Sequence, residues 1–135
     1  MKTKIQNNGS IFLMTVFVIA LLAALTMGML QMNTEEVQLM RNQIYAAQAL
    51  GVAEAGLNDA FAEIRADSSW AVGFFGEPFN SGSYTVDVSG VLPNLTIESE
   101  GTSSQGFVAR IAADITVGSN GPPYVIRIDR LRINE

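Results

Sequence analysis

Cysteine and histidine are both missing from this 135-residue chain. Their absence excludes disulfides, thiolate metal sites, cysteine nucleophiles and histidine acid–base chemistry. Charge is scarce too: only 16% of residues are Asp, Glu, Lys or Arg, against 48% hydrophobic ones. Gly 12 and Pro 4 are too few for a fibrous or linker protein, and the apolar share is too high for a disordered one. There is no internal repeat and no low-complexity tract. Basic residues number 8 against 13 acidic, net charge −5, so the patch a nucleic-acid binder needs is not expected. Both lysines, Lys2 and Lys4, lie within the first nine residues; beyond them there are only six arginines. A chain without residues 1–9 would carry six basic and 13 acidic groups, net −7. The length predicts a single globular domain.

What the chain does have is a long uncharged run. No charged residue falls between Lys4 and Glu35, and Ile11–Leu30 reads IFLMTVFVIALLAALTMGML. As a helix these residues span about 30 Å, the thickness of a bilayer's hydrocarbon core. Thr15, Thr26 and Gly28 interrupt the run, and a membrane helix tolerates all three. A secretory signal would be shorter and followed by an A-x-A site, whereas Gln31-Met32-Asn33-Thr34 follows here. Two readings remain: a plain single-pass anchor, or a segment cleaved on its near side at Gly9-Ser10 so that the helix stays on the mature protein. Lysines before the segment and none after it place the N-terminus in the cytoplasm and the rest across the membrane.

The helical pattern continues beyond the apolar run. Thr34–Arg65 contains no proline, and Val37, Met40, Ile44, Ala47, Leu50, Leu57, Phe61 and Ile64 recur at steps that make one amphipathic stripe. One nearly continuous helix is expected from about Ser10 to Arg65, roughly 80 Å long. Asp67-Ser68-Ser69 marks its exit. Trp70–Ser83 reads as a loop whose Trp70, Phe74, Phe75 and Phe79 either plug the junction of helix and sheet or form a binding patch.

Four strands are expected after it: Ser83–Val91, Leu95–Ser99, Phe107–Val117 and Tyr124–Ile133. The last shifts phase at Leu131, which suggests a bulge or a frayed end. Short turns between them, at Pro93-Asn94, Gly101–Gly106 and Ser119–Pro123, join antiparallel neighbours. The expected fold is therefore α+β: a long N-terminal helix whose amphipathic half covers one face of a four-stranded antiparallel sheet. Its parts are residues 1–9, a leader; 10–33, the membrane-spanning half of the helix; 34–66, its amphipathic half; and 67–135, loop and sheet.

Two motifs carry a resemblance. A short basic leader ending in Gly9-Ser10 before an uncharged helix resembles the leader of type IV pilins and type II secretion pseudopilins. The segment Tyr45-Ala46-Ala47-Gln48-Ala49-Leu50-Gly51-Val52-Ala53-Glu54-Ala55-Gly56-Leu57 is similar, with one residue more between Tyr45 and Ala49, to the YxxAxxxAEAGL stretch of PilX-type minor pilins, and Gly82-Ser83-Tyr84-Thr85-Val86 to their first strand. The resemblance implies cleavage after Gly9 by a prepilin peptidase, N-methylation of Ser10, and helices packed in a filament core. It also implies partners: other pilin or pseudopilin subunits, an inner-membrane assembly platform, and membrane lipid before assembly. The filament would be an extracellular pilus or a periplasmic pseudopilus. The family's glutamate at the fifth mature position is replaced here by Met14, and its proline near mature position 22 by Gln31. That substitution at Met14 points to a minor subunit that primes assembly or sits at the tip, with a major shaft subunit as the alternative.

Glu54 stands on the apolar stripe beside small residues Gly51, Ala53, Ala55 and Gly56, where another backbone can approach. Two roles stay open for it: a carboxylate meeting an arginine or a backbone donor in the fold or on a partner, or a stripe-edge side chain in water. Glu35, Glu36 and Arg41 either pair between subunits or are solvated. Met14, Met27, Met29, Met32 and Met40 read as packing. Asp87, Glu98, Glu100, Asp114 and Asp129 lack calcium-loop spacing, so neither metal nor cofactor is expected. With no activated nucleophile and no G-x-S-x-G motif, an enzyme is not expected either. The functional classes are a filament subunit and a monomeric membrane-anchored binding module.

Overall fold

The computed structural model describes the backbone of residues 6–133 and the side chains of residues 9–133. A single helix, α1 (Gln6–Ala66), precedes β1 (Phe74–Phe79), β2 (Gly82–Val91), β3 (Asn94–Thr102), β4 (Val108–Val117) and β5 (Ile126–Ile133). The strands form one antiparallel sheet in the order β1-β2-β3-β4-β5. The fold is α+β, as expected, but the sheet has five strands and not four. The fifth lies in the aromatic segment expected to be a loop. Its alternation is broken by a register shift between Phe74 and Glu77, by Gly76 at φ 64, and by Pro78, so no period of two is visible in the sequence.

The chain divides into two compact units, Met1–Arg41 and Asn42–Glu135. In the first, every side chain from Gly9 to Arg41 is exposed. α1 begins at least as early as Gln6, ahead of the expected start near Ser10; Lys2 and Lys4 lie outside the described residues. The hydroxyls of Thr15, Thr26 and Thr34 donate to the carbonyls of Ile11, Leu22 and Leu30 at 3.0, 3.0 and 2.9 Å. All three hydroxyls are thus satisfied within their own helix, as a lipid environment requires.

In the second unit, the later turns of α1 pack on one face of the sheet. Val52, Ala53, Leu57, Ala60 and Ile64 meet Tyr84, Val86, Leu95, Ile97, Ile111, Ala113, Ile115 and Val117 in a single core. The expected stripe is the seating face from Leu50 onward and not before it. Leu57 and Ile64 are buried and Leu50 and Phe61 partly so, whereas Val37, Met40, Ile44 and Ala47 are exposed. Small residues set how closely the seated turns approach the sheet. Ala49, Ala53 and Ala60 are fully buried, and a Cβ built on Gly101 of β3 would lie 2.3 Å from the Ala53 nitrogen and 2.4 Å from the Ala49 carbonyl oxygen. Sheet and helix backbones touch there because neither side presents a large side chain.

The ends of the elements are closed by named groups. Ser69 donates from its backbone N–H and its hydroxyl to Asp67 Oδ1 at 2.9 and 2.6 Å, ending α1 one residue past Arg65. The hydroxyl bond, then the backbone one, hold the Asp67 carboxyl below its usual range. The Tyr124 N–H donates to the Arg65 carbonyl at 3.0 Å, tying the β4–β5 connection to the helix end. The phase change expected near Leu131 is a bulge: Asp114 pairs with Arg130 and Ile115 with Ile128, leaving Asp129 unmatched.

Candidate functional site

The residues singled out from the sequence fall into separate environments. Gly9 and Ser10 lie within α1 and are exposed, and a Cβ built on Gly9 meets nothing within 4 Å. Met14 is 71% exposed, one of a band of exposed large apolar side chains from Ile11 to Met32. Beyond that band the exposed apolar residues continue through Val37, Met40, Ile44 and Ala47.

Gly56 is the residue whose surroundings are tightest. It is buried, and a Cβ there would come 2.7 Å from both Ser99 Oγ and the Tyr84 ring. Its smallness is therefore used inside the head, to let β2 and β3 approach the helix. Ser99 is buried and its hydroxyl donates to the Ala53 carbonyl at 2.7 Å. Glu54, one residue from that carbonyl in sequence, is exposed on the other side of the helix. That exposure leaves it a donor on a partner, or water. Asp59 is the helix carboxylate that does reach the sheet: it accepts a hydrogen bond from the Tyr84 hydroxyl. Burial first, then the bond to Asp59 and the charges of Asp59 and Glu77, push the Tyr84 phenol up to about 12.

No known family model, curated protein or solved structure matches the chain.

Part of the aromatic segment plugs the junction of helix and sheet. Trp70 and Phe74 pack against the core, with ring centroids 5.1 Å apart, and Phe74 meets Tyr84 edge-on at 5.9 Å. Phe75 is 72% exposed in the bulge. Farther along, a concavity of about 600 Å³ is lined by Ser68, Leu92, Pro93, Val117 and Tyr124 near the end of α1. Tyr45 stacks on Phe107 at 5.8 Å, joining the first turn of the packed helix to the β3–β4 turn.

The sheet's outer face is polar and ordered by ion pairs between strands. Arg110 meets Glu100 at 2.6 Å and Arg132 meets Asp114 at 3.1 Å, while Arg127 and Asp129 pair along β5 at 2.7 Å. Bonds from the Thr116 hydroxyl and then Arg127 hold the Asp129 carboxyl below its usual range. Among the described residues no three His, Cys, Asp or Glu side chains are grouped to hold a metal ion. These charges act as cross-strand ties. Sequence reasoning placed the acids on the sheet but not their arginine partners, because strand register is needed to bring residues 10 to 18 positions apart together.

Proposed function

We propose that this protein is a structural subunit, a minor pilin or pseudopilin, of a type IV pilus-like or type II secretion filament, where it primes assembly or sits at the tip. The observation that supports the reading is the wholly exposed apolar helix Ile11–Leu30, which continues in one helix to Ala66, whose last turns carry the head. Such a helix has two natural surroundings, lipid and the helices of other subunits. Moving between them yields little hydrophobic gain, so close packing and contacts of the outer turns supply the preference for the filament. The exposed apolar residues Val37, Met40 and Ile44 suit those outer contacts. The processing that the leader resembles, cleavage at Gly9-Ser10 and N-methylation of Ser10, belongs to this reading. So do the prepilin peptidase, the assembly platform and an inner-membrane location with the head outside.

The test is incorporation. Val18→Asp places a charge near the middle of the apolar run at a cost of about 2.5–3.5 kcal/mol on insertion scales. Sheared filaments from cells making this variant should lack the subunit. Normal incorporation would count against the proposal. A monomeric anchored module is the competing reading, since the same helix also suits a permanent anchor; it requires the subunit to be absent from sheared filaments even with the natural sequence.

A further inference from the structure

The two edges of the sheet are finished differently. β1 carries a bulge and Pro78, which cannot donate to a ladder, so that edge is closed to further pairing. β5 has no proline, and along its eight residues no strand lies on its far side among the described residues. Its pairing with β4 sorts its side chains. Ile128, Leu131 and Ile133 are opposite Ile115, Ala113 and Ile111, on the face that holds the core, yet they remain 51, 50 and 49% exposed. Arg127, Arg130 and Arg132 are opposite Thr116, Asp114 and Ala112, on the outer face. Three of the six arginines of an acidic protein thus stand on one edge strand. Arg127 and Arg132 have carboxylate partners; Arg130 is exposed and has none among the described residues.

We propose that the free edge of β5 docks an extended segment of a partner protein in which apolar residues alternate with acidic ones, adding a sixth strand. Backbone hydrogen bonds to the open edge give the attachment. The segment's apolar residues cover Ile128, Leu131 and Ile133, and its acidic residues lie beside the arginines across the pleat. Charge alone would also serve to deter pairing, but a deterrent edge needs no half-exposed apolar row. A second copy of this chain is a poor occupant through the same strand, because β5 against β5 would set arginines beside arginines. The inference is independent of the filament proposal.

The test uses the full-length chain in detergent micelles and fluorescein-labelled eight-residue peptides, read by anisotropy. One peptide alternates Val and Glu, one alternates Val and Lys, and one holds the Val and Glu residues in separate blocks. The alternating Glu peptide should bind and slow amide exchange along β5. The Lys and block peptides should bind at least about tenfold more weakly, and Arg130→Glu, at an exposed position, should weaken the Glu peptide by up to about tenfold. Equal binding of the block peptide, or indifference to Arg130→Glu, would overturn the proposal. So would absence of peptide binding together with dimers of the Arg130→Glu chain, which is the behaviour of an edge that only deters pairing. Dimers of the natural chain in which β5 amides are protected would make a second copy the occupant and overturn it as well.

Discussion

Replacing Gly101 by alanine should loosen the head by pushing the helix off the sheet. The added Cβ would lie 2.3 Å from the Ala53 nitrogen, 2.4 Å from the Ala49 oxygen and 2.9 Å from the Ala53 Cα. All three are backbone atoms, so no rotamer change relieves the clash, and ordinary contact requires a separation of about 1 Å more. That lift would open a gap along Ala49, Ala53 and Ala60, which are fully buried at present. It would also stretch the Ser99–Ala53 hydrogen bond, now 2.7 Å. Overpacking of this kind costs about 1–3 kcal/mol, a large share of the roughly 5–15 kcal/mol that holds a domain of this size. The chain's single tryptophan, Trp70, packs on the core and reports the transition by fluorescence in detergent-solubilised protein. Each kcal/mol lowers the melting temperature by about 4–8 °C in a domain of this length. Gly51→Ala is the control: nothing lies within 4 Å of a Cβ there, so it should stabilise by about 0.5–1 kcal/mol through helix propensity alone. Equal melting temperatures for Gly101→Ala and the natural chain would refute backbone-to-backbone contact as the basis of helix seating.

Tyr84 should give the head an alkaline limit. Its pKa is raised from 10.0 to about 12, so the folded state holds the proton more tightly than the unfolded one. The stabilisation is complete below about pH 10 and is lost as pH rises through about 12. Tyr84→Phe should flatten that part of the stability–pH curve, measured by thermal unfolding, and an unchanged curve would refute the assignment. Met14→Glu should raise the number of copies along the shaft of sheared filaments, if a carboxylate at that position draws a subunit beneath its neighbour. Quantitative mass spectrometry checks this, and copy numbers already equal to those of a major subunit in the natural protein would rule out the tip position. Gly9→Phe should leave the leader attached without harming the fold, because the site is open space; normal processing of this variant would contradict the cleavage assignment.

The long helix and the antiparallel sheet were legible because both rest on strong periodic signals. The apolar run needed only a count of residues, and β2 and β4 alternate almost without interruption. β1 escaped because Gly76 and Pro78 break its alternation, and because Phe75, as apolar as a core residue, is exposed. The seating face of the helix was legible in its large residues only. Hydrophobic periodicity weights large side chains, so it found Leu50, Leu57, Phe61 and Ile64 but not Ala49, Ala53, Gly56 and Ala60, which are buried beside them. The clue was present in the small residues around Glu54, but they indicate close approach without saying which backbone approaches. Here Gly101 and Ser99 of the chain's own sheet do so. The pairing of Tyr84 with Asp59, 25 positions apart, had no local signature at all.

The N-terminal peptide of protein purified from membranes containing a working prepilin peptidase tests the central claim most directly. Mass spectrometry should find a chain that begins at Ser10, one methyl group heavier than the unmodified peptide, with Ile11–Leu30 retained behind it. A chain that begins at Met1 would contradict the account and leave the helix as a plain membrane anchor.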